Sequence, residues 1–93
     1  RVGEMVGRKL LELSKKNQVI SITHLPQIAS LGDHHIVLRK NIIEGRTYLT
    51  AKSLDFEERV YEIARMLGGL EITESAINHA RELLIKGKEV KSV

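Results

Sequence analysis

A chain of 93 residues without cysteine excludes disulfides, thiolate nucleophiles and thiolate metal sites together, and at this length it buries only roughly 60–65% of its unfolded surface, so its core is small. Fifteen Lys and Arg against twelve Asp and Glu leave a net charge of +3, a nearly balanced surface rather than the basic stripe of a nucleic-acid binder. With 42% hydrophobic residues, one Phe, two Tyr and no apolar run near the ~20 residues that cross a bilayer, the composition predicts an aliphatic core in a soluble, cytoplasmic chain.

Val2, Met5, Val6, Leu10 and Leu13 recur at helical spacing, with Arg8, Lys9, Glu12, Lys15 and Lys16 free to face water. No N-cap signal precedes this stripe, as expected if the preceding turn lies elsewhere. After the polar run Ser14 to Gln18, Val19 to Thr23 predicts a short strand apolar enough to be covered on both faces, as in the parallel sheets of α/β proteins. Such a strand needs neighbours, and only one other strand region follows. Pro26 suits the first turn of a short helix, and Gly32 its left-handed end. His35 to Ile43 and Arg46 to Leu54 predict two strands joined around Glu44 and Gly45, with glycine supplying positive φ. Asp55 and Glu58 have capping-box spacing; Val60, Ile63, Ala64 and Leu67 then form one helix face that Gly68 and Gly69 end. Thr73 caps the next helix, Ile72 and Ile77 take the staple positions, and Ile77, Ala80 and Leu84 continue the stripe. Residues 86–93 read as a flexible tail.

His24 follows the predicted strand directly. Ligands of open α/β sheets gather beyond the carboxyl ends of the strands, where this ring could donate to a phosphate oxygen or orient a water. A strand-end histidine bonded to a neighbouring carbonyl has the same spacing, and spacing leaves both readings open. His34 and His35 are adjacent and in a strand would point to opposite faces, which disfavours a shared metal. His79 reads as solvated. Ser21 and Ser30 flank His24 without a nucleophile elbow. Arg59 and Arg65 read as a solvated face that could meet a partner or DNA, and Lys86, Lys88 and Lys91 as a loose cluster adding at most a weak, salt-sensitive DNA contact.

The segment THLPQIA after an apolar run, with VGRKLLELS before it and ERVYEIARMLGG and HARELL after it, closely resembles the C-terminal end of the RecN family of bacterial DNA repair proteins, from about Arg1 to Leu84. RecN proteins are SMC-like, ABC-type ATPases whose nucleotide-binding head is split between the two ends of the chain. The resemblance implies an α/β fold: the C-terminal part of a P-loop ATPase head over residues 1–85, with one core strand, a β-hairpin and flanking helices. It gives His24 the role of the switch (H-loop) histidine, near the γ-phosphate of ATP sandwiched between two heads. Thr23 and Gln27 would assist, by hydrogen bonding to His24 or to the turn, or else would only satisfy backbone groups. ATP and Mg2+ are the implied cofactors of the full-length parent. The implied partners are the N-terminal lobe of the same head, a second head and DNA, with no membrane, in a cytoplasmic, nucleoid-associated role in recombinational repair of double-strand breaks. The phosphate loop GxxxxGKS/T, a strand ending in Asp-Glu and an LSGGQ-like signature do not occur in these 93 residues. In the family they precede the residue matching Arg1, which makes Arg1 to Gly3 the remainder of the D-loop. The segment is therefore expected to contribute to an ATP site without binding ATP tightly or hydrolysing it alone. The alternative reading is a free-standing, basic α/β module that binds DNA or a protein.

Overall fold

A computed structural model describes residues 2–91, in the order α1 (Val2–Ser14), α2 (Pro26–Ala29), β1 (Ile36–Ile43), β2 (Arg46–Ser53), α3 (Phe56–Gly68) and α4 (Glu74–Lys91). The architecture is α/β, with one antiparallel hairpin and flanking helices. Arg1, the first residue of the expected D-loop remainder, and Ser92 and Val93 of the expected tail lie outside the described residues.

The core is the seam between α3 and α4. Val60, Ile63 and Ala64 recur at one-turn spacing and meet Ala80 and Leu84, all at most 2% exposed, with Phe56, Met66, Leu67, Ile77 and Leu83 around them. Local chemistry fixes where these helices start. The Asp55 carboxylate accepts from the Glu58 backbone N–H at 2.8 Å, while the Glu58 carboxylate accepts from the Asp55 N–H at 3.0 Å, so the capping box is complete. Thr73 Oγ1 accepts from the Ala76 N–H at 3.0 Å in the same role for α4. Gly69, at φ 72°, ends α3 in a conformation that costs other residues a Cβ clash. Arg81 then clasps Glu57 with two hydrogen bonds, at 2.7 and 3.1 Å, from α4 to the first turn of α3.

The hairpin turns on Glu44 and Gly45, at φ 49° and 77°. Two central residues with positive φ describe the type I′ turn, whose twist matches that of the strands it joins. The register, Ile36 opposite Ser53 through Ile43 opposite Arg46, places Ile36, Leu38 and Ile42 on one face with Leu49 and Ala51. The other face carries Val37, Arg39 and Lys52; Arg39 pairs with Glu62 and Lys52 with Glu58, which ties the hairpin to α3.

Three expectations are revised. The strand expected over Val19 to Thr23 forms no ladder, and Ile20 and Ile22 are 84% and 94% exposed. A strand exists through its partner's backbone hydrogen bonds, and the described strands β1 and β2 pair with each other. Gly32 is not left-handed: α2 closes on Ser30 in the right-handed region, φ −67° and ψ −18°, and the described glycines with positive φ are Gly45 and Gly69. The chain from Lys86 is not a loose tail as far as Lys91, because α4 continues to that residue. Among the described residues no helix is long and apolar enough to cross a membrane.

Candidate functional site

The residues from Thr23 to Gly32 form one hydrogen-bonded unit. Thr23 Oγ1 accepts from the Leu25 N–H at 3.0 Å, where the chain bends at His24. The Leu25 carbonyl accepts from Ile28 and Ala29, the Pro26 carbonyl from Ser30, and the Ala29 carbonyl from Gly32, at 2.9 to 3.3 Å. Pro26 stands buried at the first helical position, where its missing N–H leaves nothing unsatisfied. His24 lies at the mouth of this unit with its ring exposed, and among the described residues no hydrogen bond ties it to the protein. Gln27 is half-buried against α1, its Oε1 3.6 Å from where a Cβ on Gly3 would lie, and it lines a shallow cleft with Glu4, Arg8, Leu31 and Gly87. Thr23, His24 and Gln27 thus share one turn. No hydrogen bond joins them to one another.

Three helices hold that turn in place. A Cβ on Gly7 of α1 would fall 2.5 Å from Leu31 Cδ1, and one on Gly87 of α4 only 2.6 Å from the Ser30 carbonyl oxygen, so both glycines permit a close approach. From α3, Arg59 Nη2 donates to the carbonyls of Ala29 at 3.0 Å and Gly32 at 2.9 Å. From the end of α4, Lys91 Nζ reaches the same Gly32 carbonyl and Asp33 Oδ1, each at 3.2 Å. These cations cap the end of the turn, Arg59 giving the Ala29 carbonyl a second donor beside the Gly32 N–H and joining Lys91 on the Gly32 carbonyl.

Arg59 therefore departs from the solvated face expected of it: it is buried, 9% exposed. Burial pushes its guanidinium pKa down, opposed by the charge of Asp33. Next to it His35 is half-buried with Nδ1 unbonded, and its pKa is lowered first by burial and then by the Arg59 charge, with Glu62 acting the other way. Glu62, also buried, is held below the usual carboxylate range, chiefly by its hydrogen bonds from Arg65, with burial opposing and the charges of Arg65 and Arg39 adding. Arg65 thus serves Glu62 on its own helix.

Other candidates find structural employment. Ser30 is buried and its hydroxyl donates to the Gln27 carbonyl at 3.3 Å. Lys88 lies over the Phe56 ring, 4.6 Å from its centroid. Arg59 is the residue that sequence reasoning misplaced. A signal existed, since it stands four residues before Ile63 and so on the core-facing side of α3. Its acceptors, 27 and 30 residues away, carry no sequence signature.

No protein-family model matches the chain. It is similar to "DNA repair protein RecN" of Bacillus subtilis (strain 168), 40% identical over 92 residues, which is 99% of this chain and 16% of that protein. The RecN of Vibrio cholerae is 44% identical over 81 residues, 87% of the chain and 15% of the relative. That of Rickettsia bellii is 46% identical over 83 residues, 89% and 15%. The chain thus spans about one sixth of the length of these relatives, and it matches their C-terminal segment.

Proposed function

Since this chain is homologous to the C-terminal segment of RecN, we propose that it acts in DNA repair as the part of an SMC-like ATPase head that carries the switch histidine. The observation that supports this is the state of His24. Its imidazole is exposed, free of hydrogen bonds among the described residues, and mounted on a turn that α1, α3 and α4 hold from three sides. An unpaired donor on a rigid turn fits a γ-phosphate oxygen or an attacking water, because little reorganisation is needed when charge develops in phosphoryl transfer. Thr23 shapes the turn through its bond from Leu25 N–H, and the Gln27 carboxamide beside α1 makes no hydrogen bond among the described residues; both are assigned to supporting His24 at the nucleotide.

In this reading the phosphate loop and the Asp-Glu strand, which would hold ATP and Mg2+, belong to the N-terminal lobe of the same head. A second head closes the site across ATP, and DNA is engaged by the full-length protein. The segment alone neither binds ATP tightly nor hydrolyses it. The apolar side chains left open on α1 and over residues 19–22 are where the N-terminal lobe docks: Val2, Met5 and Leu13 are 75%, 69% and 56% exposed.

The test is ATP turnover by a full-length RecN-family protein containing this segment. His24→Ala is expected to lower kcat by about 10²-fold or more while ATP binding stays within a few-fold, as for loss of a group acting only in the transition state. Unchanged turnover removes His24 from the mechanism.

A further inference from the structure

We propose that Arg59 is a positioning residue for His24, holding the switch turn in register with the α3–α4 core; this rests on the hydrolytic role of His24 proposed above. Arg59 makes no hydrogen bond to His24. Its buried Nη2 instead bonds the carbonyls of Ala29 and Gly32, which close the far end of the turn that begins at His24. Between those ends, backbone hydrogen bonds from Leu25 to Gly32 make the turn one unit, so a shift at Ala29 and Gly32 is carried to the imidazole.

Burial shows that this arrangement is specific. A guanidinium taken out of water is costly unless it is hydrogen-bonded, and here Nη2 meets both carbonyls of the turn while Nε is buried with no hydrogen-bond partner among the described residues, so the polar contacts of this side chain go to the α2 turn. No carboxylate lies within salt-bridge distance of Arg59 among the described residues, while the carboxylates of α3 at Glu57, Glu58 and Glu62 are paired with Arg81, Lys52 and Arg65. The Arg59 side chain is thus committed to the α2 turn. On the other side Gly87 lies close against the Ser30 carbonyl, so the turn is clamped between α3 and α4, two helices that share the core. Misplacement of a reacting group by about 1 Å costs on the order of 10²-fold in rate, which is the scale at which such a clamp matters.

The experiment uses the full-length protein and four backgrounds: Arg59→Met, which keeps the apolar stem and removes both donors; Arg59→Lys; His24→Ala; and the Arg59→Met, His24→Ala double variant. Thermal melting first establishes that each is folded. Arg59→Met is expected to lower kcat about tenfold or more, with KM for ATP within about twofold, and Arg59→Lys to recover part of the loss. In single-turnover assays the double variant is expected to be no slower than His24→Ala, because a residue acting through the imidazole has no effect once that ring is gone. An equal further loss in the His24→Ala background, or unchanged kcat in Arg59→Met, overturns the proposal while leaving the role of His24 intact. Full turnover by His24→Ala alone overturns the reading beneath it. If Arg59→Met does not fold, Gly87→Ala decides: it presses on the Ser30 carbonyl from α4, and its kcat loss must likewise vanish in the His24→Ala background.

Discussion

The half-buried ring of His35, between Arg59 and Glu62, makes stability depend on pH at one residue. Its folded pKa lies below the ordinary value of about 6.5, so the unfolded chain takes up the proton first on acidification. The stabilisation of the neutral ring is whole above about pH 6.5 and declines as pH falls from there toward the lower folded value. Glu62 acts in a separate window: its depressed pKa contributes stability above the ordinary carboxylate range that is lost only as pH falls below that range. The melting temperature is therefore expected to fall between about pH 7.5 and about pH 5.5, and His35→Leu to flatten that slope. A wild-type profile already flat across this interval would contradict the assignment. The sequence announced neither His35 nor Arg59 in these roles. Both depend on contacts between α3 and the segment before β1, and a charged residue on a helix gives no local sign of the distant carbonyls it serves. His24 stood out as a candidate because its signal is local, a proline following it and an apolar run preceding it; that spacing left two readings open, and the role proposed for it rests on the resemblance of the longer segment.

At the scale of elements, what could be read ahead was what short-range chemistry decides. The capping box at Asp55 and Glu58, the Thr73 cap and the Glu44–Gly45 turn each involve partners at most three residues apart, and each forms as the spacing implies. The tail expected from residue 86 is helical as far as Lys91 because of distant contacts: the missing side chain of Gly87 admits the Ser30 carbonyl, and Lys91 reaches Gly32. The turn offers a clean stability test. Gly45 has nothing within 4 Å of a built Cβ, so Gly45→Ala carries only the backbone cost of positive φ, about 1 kcal/mol. Glu44 also has positive φ, where Asn is favoured, so Glu44→Asn is expected to stabilise by roughly 0.5 kcal/mol. Asp55→Ala, by removing one half of the capping box, should cost about 1 kcal/mol. Chemical denaturation of the three variants checks the signs, and a stabilised Gly45→Ala would refute the turn geometry.

For the molecule as a whole, the decisive feature is how much apolar surface the small α3–α4 core leaves uncovered. One face of the hairpin carries Ile36, Leu38, Ile42 and Leu49, from 61% to 74% exposed, interrupted only by Lys40 among otherwise small or apolar neighbours. A two-stranded sheet is marginal in water without a covering layer, and α3 meets the opposite face mainly through the Arg39–Glu62 and Lys52–Glu58 pairs. Residues 19–22 present Ile20 and Ile22 without a ladder partner among the described strands. Such surfaces drive either association between copies or docking onto further polypeptide. The isolated segment is therefore expected to self-associate in sedimentation experiments, and Leu38→Lys with Leu49→Lys to shift it toward monomer. In the full-length RecN-family protein, amide hydrogen exchange of β1 and of residues 19–23 is expected to slow markedly relative to the isolated segment, because the same groups are then paired or covered. Equal exchange in the two contexts would mean that this face stays open in the full-length protein, and that the apolar stripe serves a contact made only on association with another molecule.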